Sequence, residues 1–171
     1  MWSDFRVLPG APAAVARLNR AGIRILVVSN QRGIALGLYS EADVQAIHAS
    51  LQEVLMADGA HVDAFYICPH DKERCNCRKP LPGMFEQAQH DFPDITATTS
   101  VMIGDSLSDI EFGKRLGMRT VFIEGDAERR KAGAEAAAEN ADLRFPSLAS
   151  AIDVLVGERE SAVLPYGHEP Q

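Results

Sequence analysis

Ile23-Arg24-Ile25-Leu26-Val27-Val28-Ser29-Asn30-Gln31 is the stretch on which the fold turns. Apart from Arg24, its first six positions are apolar and rich in β-branched side chains. Such a run suits a strand buried on both faces, as strands of parallel sheets are. Three polar residues then end it at a turn. Upstream, residues 12–21 read as a helix with Val15 and Leu18 on one face and Gly22 as its stop. Downstream, Ser40 is an N-cap for a helix in which Val44, Ile47, Leu51 and Leu55 recur at helical spacing. The alternation continues: strand at 64–68, helix at 84–92 entered through Pro82-Gly83, strand at 101–103, helix at 107–116, strand at 120–123. The Ala- and Glu-rich residues 128–140 read as a solvated helix and 143–145 as a short edge strand, and Ser147 caps a last helix through Val156. Strands separated by helices predict a doubly wound, mainly parallel α/β sheet with helices on both faces. One domain over 1–157 and a disordered tail over 158–171 are expected. In such sheets a ligand lies beyond the carboxyl ends of the strands.

Composition bounds what this domain does. In 171 residues, 46% are apolar and 24% charged, which supports a real core and excludes disorder as the main state. No apolar run approaches the ~20 residues of a membrane span, and no leader pattern is visible, so a cytoplasmic chain is expected. Seventeen Lys and Arg against 24 Asp and Glu give a net charge of −7, which argues against a nucleic-acid surface. An anionic ligand would then need a local basic pocket.

Four places carry the chemistry. The three cysteines all fall within residues 68–77, a poor disulfide framework. With His70, the thiols of Cys68, Cys75 and Cys77 make a complete tetrahedral set for zinc, with no position left for a reacting water. The plainer alternative is a group of reduced thiols beside a surface histidine; His48 and His61 read as ordinary helix or surface residues. Ser29, Asn30 and Gln31 follow the first strand, where a hydroxyl and turn N–H groups suit a phosphate oxygen, although a simple polar turn has the same composition. Arg78-Lys79 abuts the cysteine loop and supplies the missing positive pocket, or else a solvated basic pair. Asp105 ends the third strand as a hard oxygen ligand for Mg²⁺, and Asp109 serves either the metal or the helix N-terminus.

Together these residues resemble the haloacid-dehalogenase superfamily of phosphatases, in the branch of the histidinol and D-glycero-D-manno-heptose 1,7-bisphosphate phosphatases. The similarity runs from about Leu8 to about Ile123. It is carried by Val27-Val28-Ser29-Asn30-Gln31 with Gly33-Ile34-Ala35, by Cys68-Pro69-His70, by Cys75-Asn76-Cys77-Arg78-Lys79-Pro80, and by Gly104-Asp105 with Asp109. The resemblance implies a Rossmann-like sheet with a small zinc loop. It implies an Mg²⁺-dependent phosphomonoester hydrolase that removes the 7-phosphate of the heptose bisphosphate, or acts on histidinol phosphate. Ser29 would stabilise the transferring phosphoryl group and Lys79 would balance its charge. Asn30, Gln31 and Arg78 would face the substrate, Asp105 would bind Mg²⁺, and Cys68, His70, Cys75 and Cys77 would hold structural zinc. The implied partner is a small phosphorylated molecule, and the protein is expected to be a monomer. Ser106 stands where heptose enzymes tend to carry Lys.

One family element has no counterpart. Members open with a strand ending in Asp-x-Asp-Gly-Thr, whose first Asp is the nucleophile and second the general acid and base. Asp4 lacks that setting, and residues 1–10 resemble the segment just downstream of it. By resemblance that strand is central, between the 23–28 and 101–103 strands. The expectations are therefore a split sheet, no hydrolysis by these 171 residues alone, and a start upstream of Met1. A non-catalytic phosphosugar-binding protein is the competing reading.

Overall fold

The computed structural model describes residues 5–163, with side chains through Glu158; Asp4 and the tail beyond Val163 lie outside the described residues. Helix α1 (Ala11–Arg20) leads to strand β1 (Leu26–Asn30), a single turn of helix α2 (Arg32–Ala35) and helix α3 (Glu41–Ala57). Strand β2 (Ala64–Cys68), helix α4 (Gly83–Asp91), strand β3 (Val101–Gly104) and helix α5 (Leu107–Leu116) follow. Strand β4 (Arg119–Ile123), helix α6 (Ala134–Asn140), strand β5 (Leu143–Phe145) and helix α7 (Leu148–Val163) complete the order.

All pairings are parallel, and they form two separate sheets. β1 pairs with β2 from Leu26–Ala64 to Asn30–Cys68. β3 pairs with β4, and β4 with the edge strand β5. Between β1 and β3 runs a cleft of about 1270 Å³ that every residue of both strands lines. Among the described residues no strand joins the two edges, as the sequence led us to expect.

Helices bridge this cleft on both faces. On one side Ala14 and Leu18 of α1 pack with Ile152 and Val156 of α7, over Ile103; Arg17 of α1 also pairs with Asp153 of α7. On the other side Phe85 of α4 and Phe112 of α5 meet over Val28 and Met102. Neighbours in sequence, Met102 and Ile103, thus face opposite helix layers, which is the doubly wound arrangement.

Several boundaries differ from the sequence reading. β1 begins at Leu26, not Ile23, because the Ile23 N–H bonds back to Leu18 and the Ile25 N–H to the Asp63 carboxylate. The strand instead extends through Ser29 and Asn30. The helix expected over 128–140 is a 3₁₀ turn (Ala127–Arg129) followed by α6, because Gly133 at φ +80° interrupts it; Ala137 is fully buried, so α6 is packed, not merely solvated. α7 continues to Val163, past the expected boundary at 157.

The β4–β5 connection depends on one carboxylate. Asp142 accepts from the N–H and hydroxyl of fully buried Thr120 at 2.7 Å each, and pairs with Lys114. The Lys114 ammonium and the Thr120 donors hold its carboxyl down to about 2, against 3.8. A depressed pKa means the stabilisation is complete above pH ~4 and is lost as pH falls toward ~2. Asp142→Asn should cost about 1–2 kcal/mol at pH 7, discounted for the half-exposed Lys114 pair. Denaturant melts of both proteins should show that gap closing between pH 4 and pH 2; a gap independent of pH would refute the assignment.

Candidate active site

The carboxyl ends of β1 and β3 meet at one end of the cleft, where Ser29, Asn30, Arg78, Lys79 and Asp105 all line it. β1 contributes the first two because the strand runs on to Asn30. Asn30 does more than line the cleft: its Nδ2 donates to the Lys79 carbonyl at 3.1 Å, and its Oδ1 accepts from the Lys79 N–H at 2.9 Å. The amide thus stands in for a strand partner and ties the 78–80 loop to β1. Gln31 does not line this cleft. It lies behind Ser29, donating to Ser29 Oγ at 2.8 Å, and borders a separate small cavity beside α3.

The loop from β2 carries the cysteine group. Cys68 and Cys75 Sγ lie 3.5 Å apart, and His70 Nδ1 is 3.9 Å from Cys68 Sγ and 3.3 Å from Cys77 Sγ. All four donor atoms fall within 4.8 Å of one another, and the separations of 3.3, 3.5 and 3.9 Å lie close to the roughly 3.3–3.8 Å between ligands around a tetrahedral ion with bonds of about 2.0–2.3 Å. Burial pushes the Cys68 and Cys77 thiols up; Cys75 is also penalised by burial, yet hydrogen bonds from Cys77 and Cys68 bring it down to about 7. Three thiols this close repel one another once ionised, and a dication relieves that. The donor set fits zinc, and none of the four lines the cleft, as suits a metal that shapes a loop. Beyond it the chain is fixed by Gly83, whose N–H bonds to the Asn76 carbonyl and where a Cβ would fall 2.1 Å from Asn76 Oδ1. The Arg32–Asp71 pair at 2.5 Å joins the loop to α2.

So held, Lys79 reaches across the cleft. Its Nζ donates to the Val28 carbonyl and to Asp109 Oδ1, both at 2.6 Å, and both side chains are nearly buried. An ammonium has three protons, so one remains to point into the cleft. Asp109 answers the question of metal or helix terminus: it accepts from the Ser106 N–H and hydroxyl at the start of α5, and its other oxygen takes Lys79. Gly104 makes room for it, since a Cβ there would lie 2.4 Å from Asp109 Cβ. Asp105 is half-exposed and 2.7 Å from Lys131. Its carboxylate suits a hard cation such as Mg²⁺ as one ligand, but a single carboxylate leaves most of an octahedral shell to other oxygens.

The sequence thus identified the residues that converge here except Asp109 in its second role and Lys131. Lys131 carries no signal of its own in sequence. Of the histidines read as ordinary, His48 stacks on Phe65 with centroids 4.2 Å apart, and His61 pairs with Asp63.

Chemically, the cleft end offers a hydroxyl and an ammonium proton, donors that a phosphoryl group attracts, with a carboxylate suited to a hard cation on the same cleft. The HAD-hydrolase-like family model matches residues 76–151. The D-glycero-α-D-manno-heptose-1,7-bisphosphate 7-phosphatase of Mycobacterium bovis is 38% identical over 162 residues, covering 92% of this chain and 83% of that protein. The β-heptose 7-phosphatase of Rhodopseudomonas palustris is also 38% identical, over 71% of each chain. The crystal structure of the D,D-heptose 1,7-bisphosphate phosphatase of Bordetella bronchiseptica, complexed with magnesium and phosphate, superposes with a TM-score of 0.77. It is 29% identical and covers 89% of this chain and 84% of that one. With this architecture and these relatives, the chain belongs to the haloacid-dehalogenase-like phosphatases.

Proposed function

We propose that this chain forms the substrate site of an Mg²⁺-dependent phosphatase that removes the 7-phosphate of D-glycero-D-manno-heptose 1,7-bisphosphate. The observation that carries this is the convergence of Ser29, Lys79 and Asp105 at one end of a cleft between β1 and β3. The names of the relatives, of both α- and β-heptose specificity, support the substrate class. In this reading Ser29 donates its hydroxyl proton to a phosphoryl oxygen, and Lys79 offers the proton left over from its bonds to Val28 and Asp109. Both donors are held before substrate arrives, so they need no reorganisation as charge develops. Arg78, at the cleft beside the metal loop, contacts the substrate. Asp105 ligates Mg²⁺, which when bound supplies positive charge to the phosphoryl oxygens.

The nucleophile comes, in this proposal, from a strand of the kind that the resemblance implies, seated between β1 and β3. The cleft suits such an occupant: edge strands flank it, and apolar side chains from α1 and α7 above and from α4 and α5 below close its faces. A strand there would be buried on both sides and nearly all apolar. Its end would bring carboxylates to face Asp105, one to take the phosphoryl group and be freed again by water, the other to pass a proton to the leaving oxygen.

Two outcomes follow. The metal loop should hold about one zinc per chain in protein purified without added metal. Cys77→Ser should lower both zinc content and Tm, and weaken phosphate-ester binding through Arg78 and Lys79; a Cys68–Cys75 disulfide, or no zinc, would refute the assignment. The 171-residue chain should release no phosphate above background from either heptose bisphosphate anomer. A chain extended upstream by about 20 residues, enough for one strand and its turn, should release it only with Mg²⁺. In that extended chain Lys79→Ala or Asp105→Asn should lower turnover about 100-fold or more. An extended chain that melts no higher and stays inert with Mg²⁺ on both anomers and on histidinol phosphate would overturn the reading.

A further inference from the structure

Tyr39 has no role in the site described above, yet its hydroxyl is two hydrogen bonds away from Ser29. The phenol donates to Gln31 Oε1 at 2.8 Å, and Gln31 Nε2 donates to Ser29 Oγ at 2.8 Å. A side-chain amide has one accepting end and one donating end. With the phenol proton on Oε1, the amide turns Nε2 toward Ser29. Ser29 Oγ is then the acceptor in that bond, and its single proton is directed away from Gln31, toward the cleft that Ser29 lines. The reversed amide would consume that proton. Phosphoryl oxygens have only lone pairs to offer, so the difference decides whether Ser29 attracts or repels them.

Packing holds the tyrosine in place. Its ring lies over Gly33, where a Cβ would fall 2.1 Å from ring Cε1. The N–H of Leu38 bonds to the Gly33 carbonyl at 2.9 Å, so the turn that carries Tyr39 is closed against α2. Tyr39 and Gln31 share the wall of a mostly apolar cavity of about 220 Å³ with Asp43, Val44, Ile47 and His48 of α3, the Asp43 carboxylate being taken by the Ser40 N–H and hydroxyl. In such a setting each polar tip is directed to the partner it has, because few others are near.

We propose that Tyr39 is a positioning residue: through Gln31 it fixes the Ser29 hydroxyl as a donor to the phosphoryl group. The inference rests on the phosphatase reading, in which Ser29 contacts phosphate.

The test is the affinity of the chain for inorganic phosphate with Mg²⁺ present, by calorimetry, for the unaltered protein, Tyr39→Phe, Ser29→Ala and the double variant, with Tm measured alongside. Tyr39→Phe should weaken phosphate binding about 3- to 10-fold, the scale of one misdirected hydrogen bond, at nearly unchanged Tm. In the Ser29→Ala background the same change should do nothing further. A tyrosine with a merely structural role would lower Tm and act equally in both backgrounds. If Ser29→Ala weakens binding but Tyr39→Phe does not, or if the two losses add, the positioning role is refuted and the phosphate site stands. If Ser29→Ala has no effect, or phosphate does not bind, the phosphate site itself is wrong and the role of Tyr39 falls with it.

Discussion

At the end of the cleft a single buried ammonium ties β1 to the start of α5. Lys79 Nζ sits 2.6 Å from the Val28 carbonyl on β1 and 2.6 Å from the Asp109 carboxylate on α5, which follows β3. Nothing else described at the cleft end spans both sheets so directly. With both side chains nearly out of water, removing either charge would leave the other unpaired, at a cost of about 3–5 kcal/mol. Much of the surrounding sequence is explained by the need to hold this contact. Asn30 clamps the Lys79 backbone, Gly104 admits Asp109, and Ser106 orients it. The cysteine loop sets where residue 79 begins its reach.

This contact helps to hold together a sheet in two parts. Parallel strands normally hydrogen-bond on both edges unless they end the sheet, yet β1 and β3 each leave an edge along the cleft and do not close on each other. What keeps them apart in register is the bridging by α1 with α7 on one face, by α4 with α5 on the other, and by Lys79 at the end. The helices are packed as though over a continuous sheet: Val28 and Met102 share one cluster although their strands are not paired. A space with strand edges at its sides and apolar layers above and below is shaped for backbone. Ser29, Asn30, Arg78, Lys79 and Asp105 gather at the end where the carboxyl ends of β1 and β3 lie.

Much of this was legible in sequence because the signals were local. Short apolar runs marked the strands, Ser40 and Ser147 the helix starts, and three Cys and one His within ten residues the cluster that the fold gathers. The division of the sheet was legible too, because the strand motif that the resemblance implies has no match among these residues. What escaped was set by distance in space. Where β1 begins depends on Ile25 finding Asp63, not on the hydrophobicity of Ile23. The helix at 128–140 was shortened by Gly133, whose left-handed φ a composition rich in Ala and Glu disguises. Gln31 was read as facing substrate because it follows Ser29 and Asn30; the turn into α2 sends it behind Ser29 instead. Asp109 and Tyr39 act through partners thirty and eight positions away, Lys79 and Gln31, and no spacing rule connects them.

The central claim is that Ser29, Lys79 and Asp105 enclose a phosphoryl site at the cleft end. It is tested most directly by crystals of this protein soaked in tungstate and Mg²⁺, with the anion located by its anomalous signal. One strong site is expected within hydrogen-bond distance of Ser29 Oγ and Lys79 Nζ, with the metal on Asp105 and Lys131 displaced from that carboxylate. Tungstate bound only among the basic side chains of the metal loop, with the cleft end holding none, would contradict it.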